Sequence, residues 1–210
     1  HDRHNTGGFT SGERATGNPY DTGAIETCCT VAWTAMSVEM LKLKADPVVA
    51  DELELTTMNA SLGAHSRSGR WATYSTPSDG ARFASAHHIV FQARPGTPEL
   101  NCCSVNAPRG LGLIADWAVI HDRDTVFVNY YGPSECTVPI GGETPPKMSL
   151  AQRTEYPADG RIELAVTVQH PVRESLALRI PAWSVATGVR EADGTEHRPT
   201  AGTYLVLERE

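Results

Sequence analysis

His121-Asp122-Arg123-Asp124-Thr125-Val126-Phe127-Val128-Asn129-Tyr130-Tyr131 is the stretch at which the chain changes its period. From Thr125 onward, Val126, Val128 and Tyr130 alternate with Phe127, Asn129 and Tyr131, the two-residue repeat of a strand with one face turned to a core. The repeat returns at Ile162, Leu164, Val166 and Val168, and again at Leu176, Leu178 and Ile180 before Pro181. Short strands at this spacing predict a β-sandwich. Upstream the period is helical. Cys29, Trp33, Met36, Met40 and Leu43 recur at helical spacing, and Val31, Ala35 and Val38 fill other faces, so this helix is expected to be buried nearly all round. Asp46-Pro47 ends it and starts another, with Asp46 as N-cap and Pro47 at the first helical position, running to about Gly63. A third helix is expected from about Val105 to Ile120. The reading is an α+β chain in two domains: helices over 1–124 and an antiparallel β-sandwich over 125–210.

The chain has 210 residues, 40% of them hydrophobic, and a formal net charge of −7. This length allows one large or two small domains, and the apolar content supports a real core. An acidic balance without any Lys/Arg run excludes a phosphate-binding footprint, so neither nucleic acid nor an anionic membrane is an expected partner. A small neutral substrate fits better. No apolar run is long enough to span a bilayer, and His1-Asp2-Arg3-His4 opens no signal-peptide hydrophobic region. The polar start, and a finish in Leu207-Glu208-Arg209-Glu210 that reads as mid-strand, are those of a piece of a longer protein. Residues Asn5 to Gly23 are rich in Gly, Thr, Ser, Asn and Pro without a period, and read as a long loop of the kind that carries function. Glu13 sits within it.

Five cysteines are an odd number, and four of them form the vicinal pairs Cys28-Cys29 and Cys102-Cys103, each at the entrance to an apolar helix. Neighbouring cysteines rarely bond to each other, so inter-pair disulfides or one metal cluster are the structured options, with plain buried cysteines as the alternative. Zinc accepts thiolates and a carboxylate in tetrahedral geometry, and Glu26, Cys28, Cys102 and Cys103 would make a complete four-ligand set. Glu26 and Cys28 share one side if the chain is still extended there. Cys136 reads as a small buried hydrophobe. Reduced thiols point to the cytoplasm.

Glu26-Thr27-Cys28, the Cys102-Cys103 pair followed by Asn106, Thr6-Gly7-Gly8 with Gly12-Glu13, and Leu178-Arg179-Ile180-Pro181-Ala182-Trp183 together resemble the bacterial β-L-arabinofuranosidases of glycoside hydrolase family 127. The motifs run in the right order over essentially the whole chain. The resemblance implies the later part of an (α/α)6 helical barrel followed by a β-sandwich, without the earlier barrel helices. It further implies that Glu26, Cys28, Cys102 and Cys103 hold Zn2+, that Cys102 is the nucleophile and that Glu13 is the general acid/base. The implied reaction is a retaining hydrolysis that removes terminal L-arabinofuranosyl or similar residues from an arabinose-containing oligosaccharide or glycoconjugate. Ser104 and Val105 stand where the family often has two prolines, and Cys29 is an added thiol, which marks a divergent subgroup. An incomplete barrel would expose apolar surface around Trp33, so self-association, or a partner that supplies the absent helices, is expected.

Two other classes remain open on these residues: a carbohydrate-binding protein with a structural metal, and a thiol-redox or cysteine-hydrolase protein without one. His87-His88 reads as a packed or solvent-facing pair that could alternatively bind metal. Trp71, Tyr74 and Arg82 either line a sugar pocket or pack locally. Trp183 is expected in the sandwich core, and Asp79 and Glu99 are ordinary turn residues.

Overall fold

A short strand, β1 (Ile25–Glu26), leads directly into helix α1 (Thr27–Lys44). The computed structural model describes residues 3–9, 25–76, 102–140, 147–169 and 173–209. Thr27, Thr30, Val31, Thr34, Ser37, Val38 and Leu41 form the buried stripe of α1, at the three- and four-residue spacing of one helix face. Threonine is tolerated there because its hydroxyl bonds back to the helix: Thr30 Oγ1 donates to Glu26 O at 3.0 Å and Thr34 Oγ1 to Thr30 O at 2.9 Å. The side marked by Met36, Met40 and Leu43 is 55%, 41% and 84% exposed. The expectation of all-round burial therefore fails. Counting threonines as polar hid the buried face.

Asp46 caps helix α2 (Pro47–Leu55), its Oδ1 accepting from Val48 N at 3.0 Å, as the Asp-Pro signal predicts. The helix continues through a π-helical segment (Thr56–Ser61) into α3 (Leu62–Ala64). Gly7, at φ 78°, lies against that segment; a Cβ there would collide with Thr56, whose Oγ1 donates to Gly7 O at 3.2 Å. The strand β2 (Ser75–Thr76) pairs antiparallel with β1, Glu26 opposite Ser75. Helix α4 (Cys102–Gly112) packs on the π-helical segment, and a Cβ on its Gly110 would come within 2.9 Å of Val31 Cγ2. Among the described residues, no helix is long and apolar enough to cross a membrane.

Helix α5 (Ile114–Trp117) is followed by strand β3 (Val119–Asp122), so the third helix begins three residues earlier than expected and ends before Val119. Val119 and Ile120 pair with Val128 and Phe127 of β4 (Thr125–Val128) across a tight turn in which Arg123 takes φ 54°. Pairing with β4 overrides the helical pattern of these β-branched residues. Five longer or shorter partners complete two facing sheets: β5 (Ser134–Pro139), β6 (Lys147–Thr154), β7 (Ile162–Val168), β8 (Glu174–Ile180) and, after the hairpin β9 (Val189–Arg190) and β10 (Glu196–His197), β11 (Thr203–Arg209). One sheet has the order β11-β8-β4-β3 and the other β5-β6-β7. Their pairings are antiparallel except β4 with β8, which is parallel from Thr125↔Ser175 to Val128↔Leu178. Val126, Val128, Val138, Ile140, Met148 and Leu150 form the core between them. Strand β6 escapes the sequence pattern because Gln152 points inward, its amide donating to Tyr130 O at 3.1 Å.

The chain divides into two compact units, His1–Met40 with Glu52–Ile114, and Leu41–Asp51 with Ala115–Glu210. Within the second, Arg179 on β8 is fully buried. Its Nε donates to Asn129 O at 2.6 Å, its Nη1 to Asp51, and its carbonyl accepts from Tyr131 Oη at 2.6 Å. Asp51 Oδ2 also accepts from Ala182 N at 3.0 Å. Removing one member of a buried ion pair strands the other charge, so Asp51→Ala is expected to lower unfolding stability by about 3–5 kcal/mol, read by urea denaturation.

Candidate metal centre

The first unit brings Cys28 to the Cys102-Cys103 pair. Cys28 lies in the first turn of α1, whose start is pinned twice: Thr27 N donates to Tyr74 O at 3.0 Å, and Thr27 Oγ1 to Thr73 O at 2.8 Å. Cys102 and Cys103 open α4, Cys102 exposed and Cys103 fully buried. The Sγ atoms of Cys28, Cys102 and Cys103 all lie within 4.8 Å of one another. Cys103 Sγ donates to Cys28 Sγ at 3.2 Å, and stands 4.0 Å from Cys102 Sγ. Asn106, one helical turn beyond the pair, reaches back so that its Nδ2 donates to Cys28 Sγ at 3.3 Å. Cys28, Cys29, Cys102 and Cys103 are free thiols, as is Cys136, so inter-pair disulfides are not the arrangement adopted.

Glu26 sits on β1, buried beside this cluster, and its charge acts on Cys28. Because α1 begins at Thr27, the extended segment expected to align Glu26 with Cys28 stops at Glu26. Among the described residues the group that could take a metal consists of the three thiols and does not include Glu26. Four sulfurs around zinc, with Zn–S about 2.3 Å, stand roughly 3.8 Å apart. The observed 3.2 and 4.0 Å bracket that spacing, so the donor set fits such an ion with small rotations.

Electrostatically the three thiols are unequal. The hydrogen bond from Cys103, against burial and aided by Asn106, lowers the Cys28 thiol to about 6. Burial first, then the hydrogen bond and charge of Cys28, push Cys102 up, while a hydrogen bond from Tyr74 pulls it back. The bond to Cys28 and burial push Cys103 far up. Cys28 is thus the most readily ionised of the three thiols.

Tyr74, read from sequence as pocket or packing, is buried and bonded to Cys102. Trp71 is half-buried in a turn closed by Ser66 N to Trp71 O at 2.9 Å. Cys136 packs on the sandwich core, as its apolar reading expects. Trp183 is 63% exposed and not a core residue, because the turn after Pro181 carries it off the inner sheet face. Glu13, Asp79, Arg82, His87, His88 and Glu99 lie outside the described residues. The roles of Asn106 and Tyr74 toward the sulfurs had a partial signal at most: Asn106 recurs one turn after the pair, whereas nothing local marks Tyr74.

A helical unit with a metal-competent thiol cluster, followed by a two-sheet sandwich, is the class that fold and site define. The model for the GH127 catalytic domain of β-L-arabinofuranosidases matches residues 3–114, and that for the GH127 middle domain matches residues 125–210. The chain belongs to glycoside hydrolase family 127. It is 27% identical over 205 residues to a non-reducing end β-L-arabinofuranosidase of Bifidobacterium longum subsp. longum, covering 90% of this chain and 30% of that protein. The crystal structure of a GH127 β-L-arabinofuranosidase from Geobacillus stearothermophilus T6 superposes with a TM-score of 0.75 at 25% identity, over 99% of this chain and 34% of the other. Another GH127 β-arabinofuranosidase gives 0.76 at 23% identity, with the same coverages of 99% and 34%. The fold is part of a helical barrel followed by a β-sandwich, and the chain spans about a third of the length of these relatives.

In the metal-free chain, iodoacetamide is expected to modify Cys28 first. Its lowered thiol ionises as the pH rises through about 6, and Cys102 follows only under alkaline conditions. Tyr74→Phe removes a bond that lowers the Cys102 thiol and should delay its modification further. Peptide mapping reads both, and equal rates at Cys28 and Cys102 would contradict this order.

Proposed function

We propose that this chain carries the thiolate machinery of a retaining glycoside hydrolase that removes terminal L-arabinofuranosyl or similar residues from arabinose-containing oligosaccharides or glycoconjugates. The observation that carries the reading is the convergence of the Cys28, Cys102 and Cys103 sulfurs inside the region matched by the catalytic-domain model. In this reading residues 1–124 form the barrel part that bears the site, and 125–210 form the sandwich. Cys28, Cys102 and Cys103 would hold Zn2+, with Glu26 beside them as the fourth ligand the resemblance implies. Bound zinc would keep the thiols ionised at neutral pH and fix their positions.

Cys102, the exposed member of the cluster, is the nucleophile. Its sulfur forms a bond to the anomeric carbon as the glycosidic C–O bond breaks, and Glu13 gives its proton to the departing oxygen. Water then attacks the same carbon from the opened face, Glu13 takes its proton, and the C–S bond breaks to release the sugar with retained configuration. Cys28 and Cys103 are positioning groups in this scheme. Tyr74 steadies the nucleophile through its hydrogen bond. A reducing, cytoplasmic compartment suits the free thiols.

Elemental analysis of the chain purified without added metal should give about one zinc per chain, lost in Cys103→Ser. Glu13→Gln should keep the zinc and slow hydrolysis of an L-arabinofuranoside by about 10²–10⁴-fold. A folded, zinc-free wild type would remove the metal reading. Zinc with no hydrolysis would leave a carbohydrate-binding protein with a structural metal.

The exposed Met36, Met40 and Leu43 on α1 support a further proposal, that a second copy or a partner supplying barrel helices covers this face. Sedimentation should then show association that Leu43→Glu weakens. A monomer at all concentrations counts against self-association.

A further inference from the structure

Two of the three clustered sulfurs come from neighbouring residues at the start of α4 and the third from the first turn of α1, so the cluster depends on how Cys28 is held to the Cys102-Cys103 pair. The hold is built along one strip where the two helices meet. Cys103, Asn106 and Gly110 follow one another at the three- and four-residue spacing of a single helix face. Cys103 Sγ donates to Cys28 Sγ at 3.2 Å, and Asn106 Nδ2 donates to the same sulfur at 3.3 Å. Gly110 continues the strip by letting Val31 of α1 come close. Val105, beside Asn106 in sequence, is 64% exposed, so α4 turns the amide and not the valine toward α1.

The two donors on Cys28 respond differently to a metal. A metal takes cysteine as thiolate, and its binding releases the thiol protons. The S–H of Cys103 that reaches Cys28 is then gone, and two thiolates left at that distance repel each other. An amide N–H does not ionise. The Asn106 bond therefore outlasts metal loading, and it becomes a charge-assisted bond once its acceptor is a thiolate. The Tyr74 hydroxyl keeps its proton in the same way, but it serves Cys102, and Tyr74 precedes β2 and belongs to neither helix. Asn106 is carried by the helix that bears the cysteine pair and bonds the sulfur borne by the other.

We propose that Asn106 is a positioning residue of the thiol site, a role that rests on the metal reading of the cluster: its amide N–H ties Cys28 to the Cys102-Cys103 pair and stays on the Cys28 sulfur after the thiols have given up their protons. A donor outside the ligand set that orients a ligand in this way typically contributes about 10–100-fold to metal affinity. The bond also lowers the energy of the sulfur lone pair it engages, which gives it a spectroscopic signature that packing alone does not have.

The test compares the full chain with Asn106→Leu, which keeps the size of the side chain without its donor, and Asn106→Gln, which keeps the donor on a longer arm. Zinc affinity is read by competition with a chromophoric chelator, and cobalt(II) in place of zinc gives a sulfur-to-metal charge-transfer band in the near ultraviolet. Asn106→Leu should bind zinc about 10–100-fold more weakly and move the cobalt band to longer wavelength, because the freed sulfur lone pair lies higher in energy. Asn106→Gln should lie nearer the wild type in both. Circular dichroism establishes that each variant is folded. The role is overturned if Asn106→Leu binds zinc as tightly as the wild type, if it binds more weakly without any movement of the band, which is the mark of packing alone, or if Asn106→Gln is no better than Asn106→Leu. A folded wild type that takes up neither metal removes the metal reading and this role with it, whereas a loaded wild type with an unaffected Asn106→Leu removes the role alone.

Discussion

A guanidinium carried to zero exposure must bring its counter-charge with it, and Arg179 does so with Asp51. Its Nε donates to Asn129 O, and its own carbonyl accepts from Tyr131 Oη. Asn129 in turn donates to Trp117 O at 3.0 Å and accepts from Tyr204 Oη at 2.5 Å. One side chain therefore ties β8, the end of β4, strand β11 and the start of α2 into a single polar network inside the second unit. Such a network stabilises only when its members are satisfied, and the Ala182 backbone N–H supplies a further donor to Asp51.

The thiol cluster depends on a different constraint, the fixing of two helix starts. Thr27 is held by Thr73 and Tyr74, and α4 can come close to α1 because Gly110 has no side chain to meet Val31. Those contacts set where the first turns lie, and the first turns set where the sulfurs point. Buried threonines extend the same logic along α1. They fill the helix face without leaving a donor unsatisfied, so the face that packs is less hydrophobic than the one that does not.

Met36 and Leu43 on α1 and Trp183 after β8 are large apolar residues left exposed. Large apolar groups gain by leaving water, which is the basis for proposing a cover over such a surface. For α1 the proposal is further helices.

By itself the sequence determined which residue types could do chemistry and where the period changes. Two-residue alternation identified β4, β7 and β8, the Asp46-Pro47 signal placed the start of α2, and Cys28 with the Cys102-Cys103 pair pointed to the thiol cluster. These are local properties, fixed by side chains within a few residues of each other. Tertiary structure alone decided the rest. It turned Val119 and Ile120 from a helical pattern into a strand through pairing with β4, and it put threonines inside and methionines outside on α1. It aimed three sulfurs at one point and left Glu26 beside them, and it brought Tyr74 onto Cys102. Each of these outcomes depends on a partner distant in the chain, whose contribution to the free energy no local window of sequence contains.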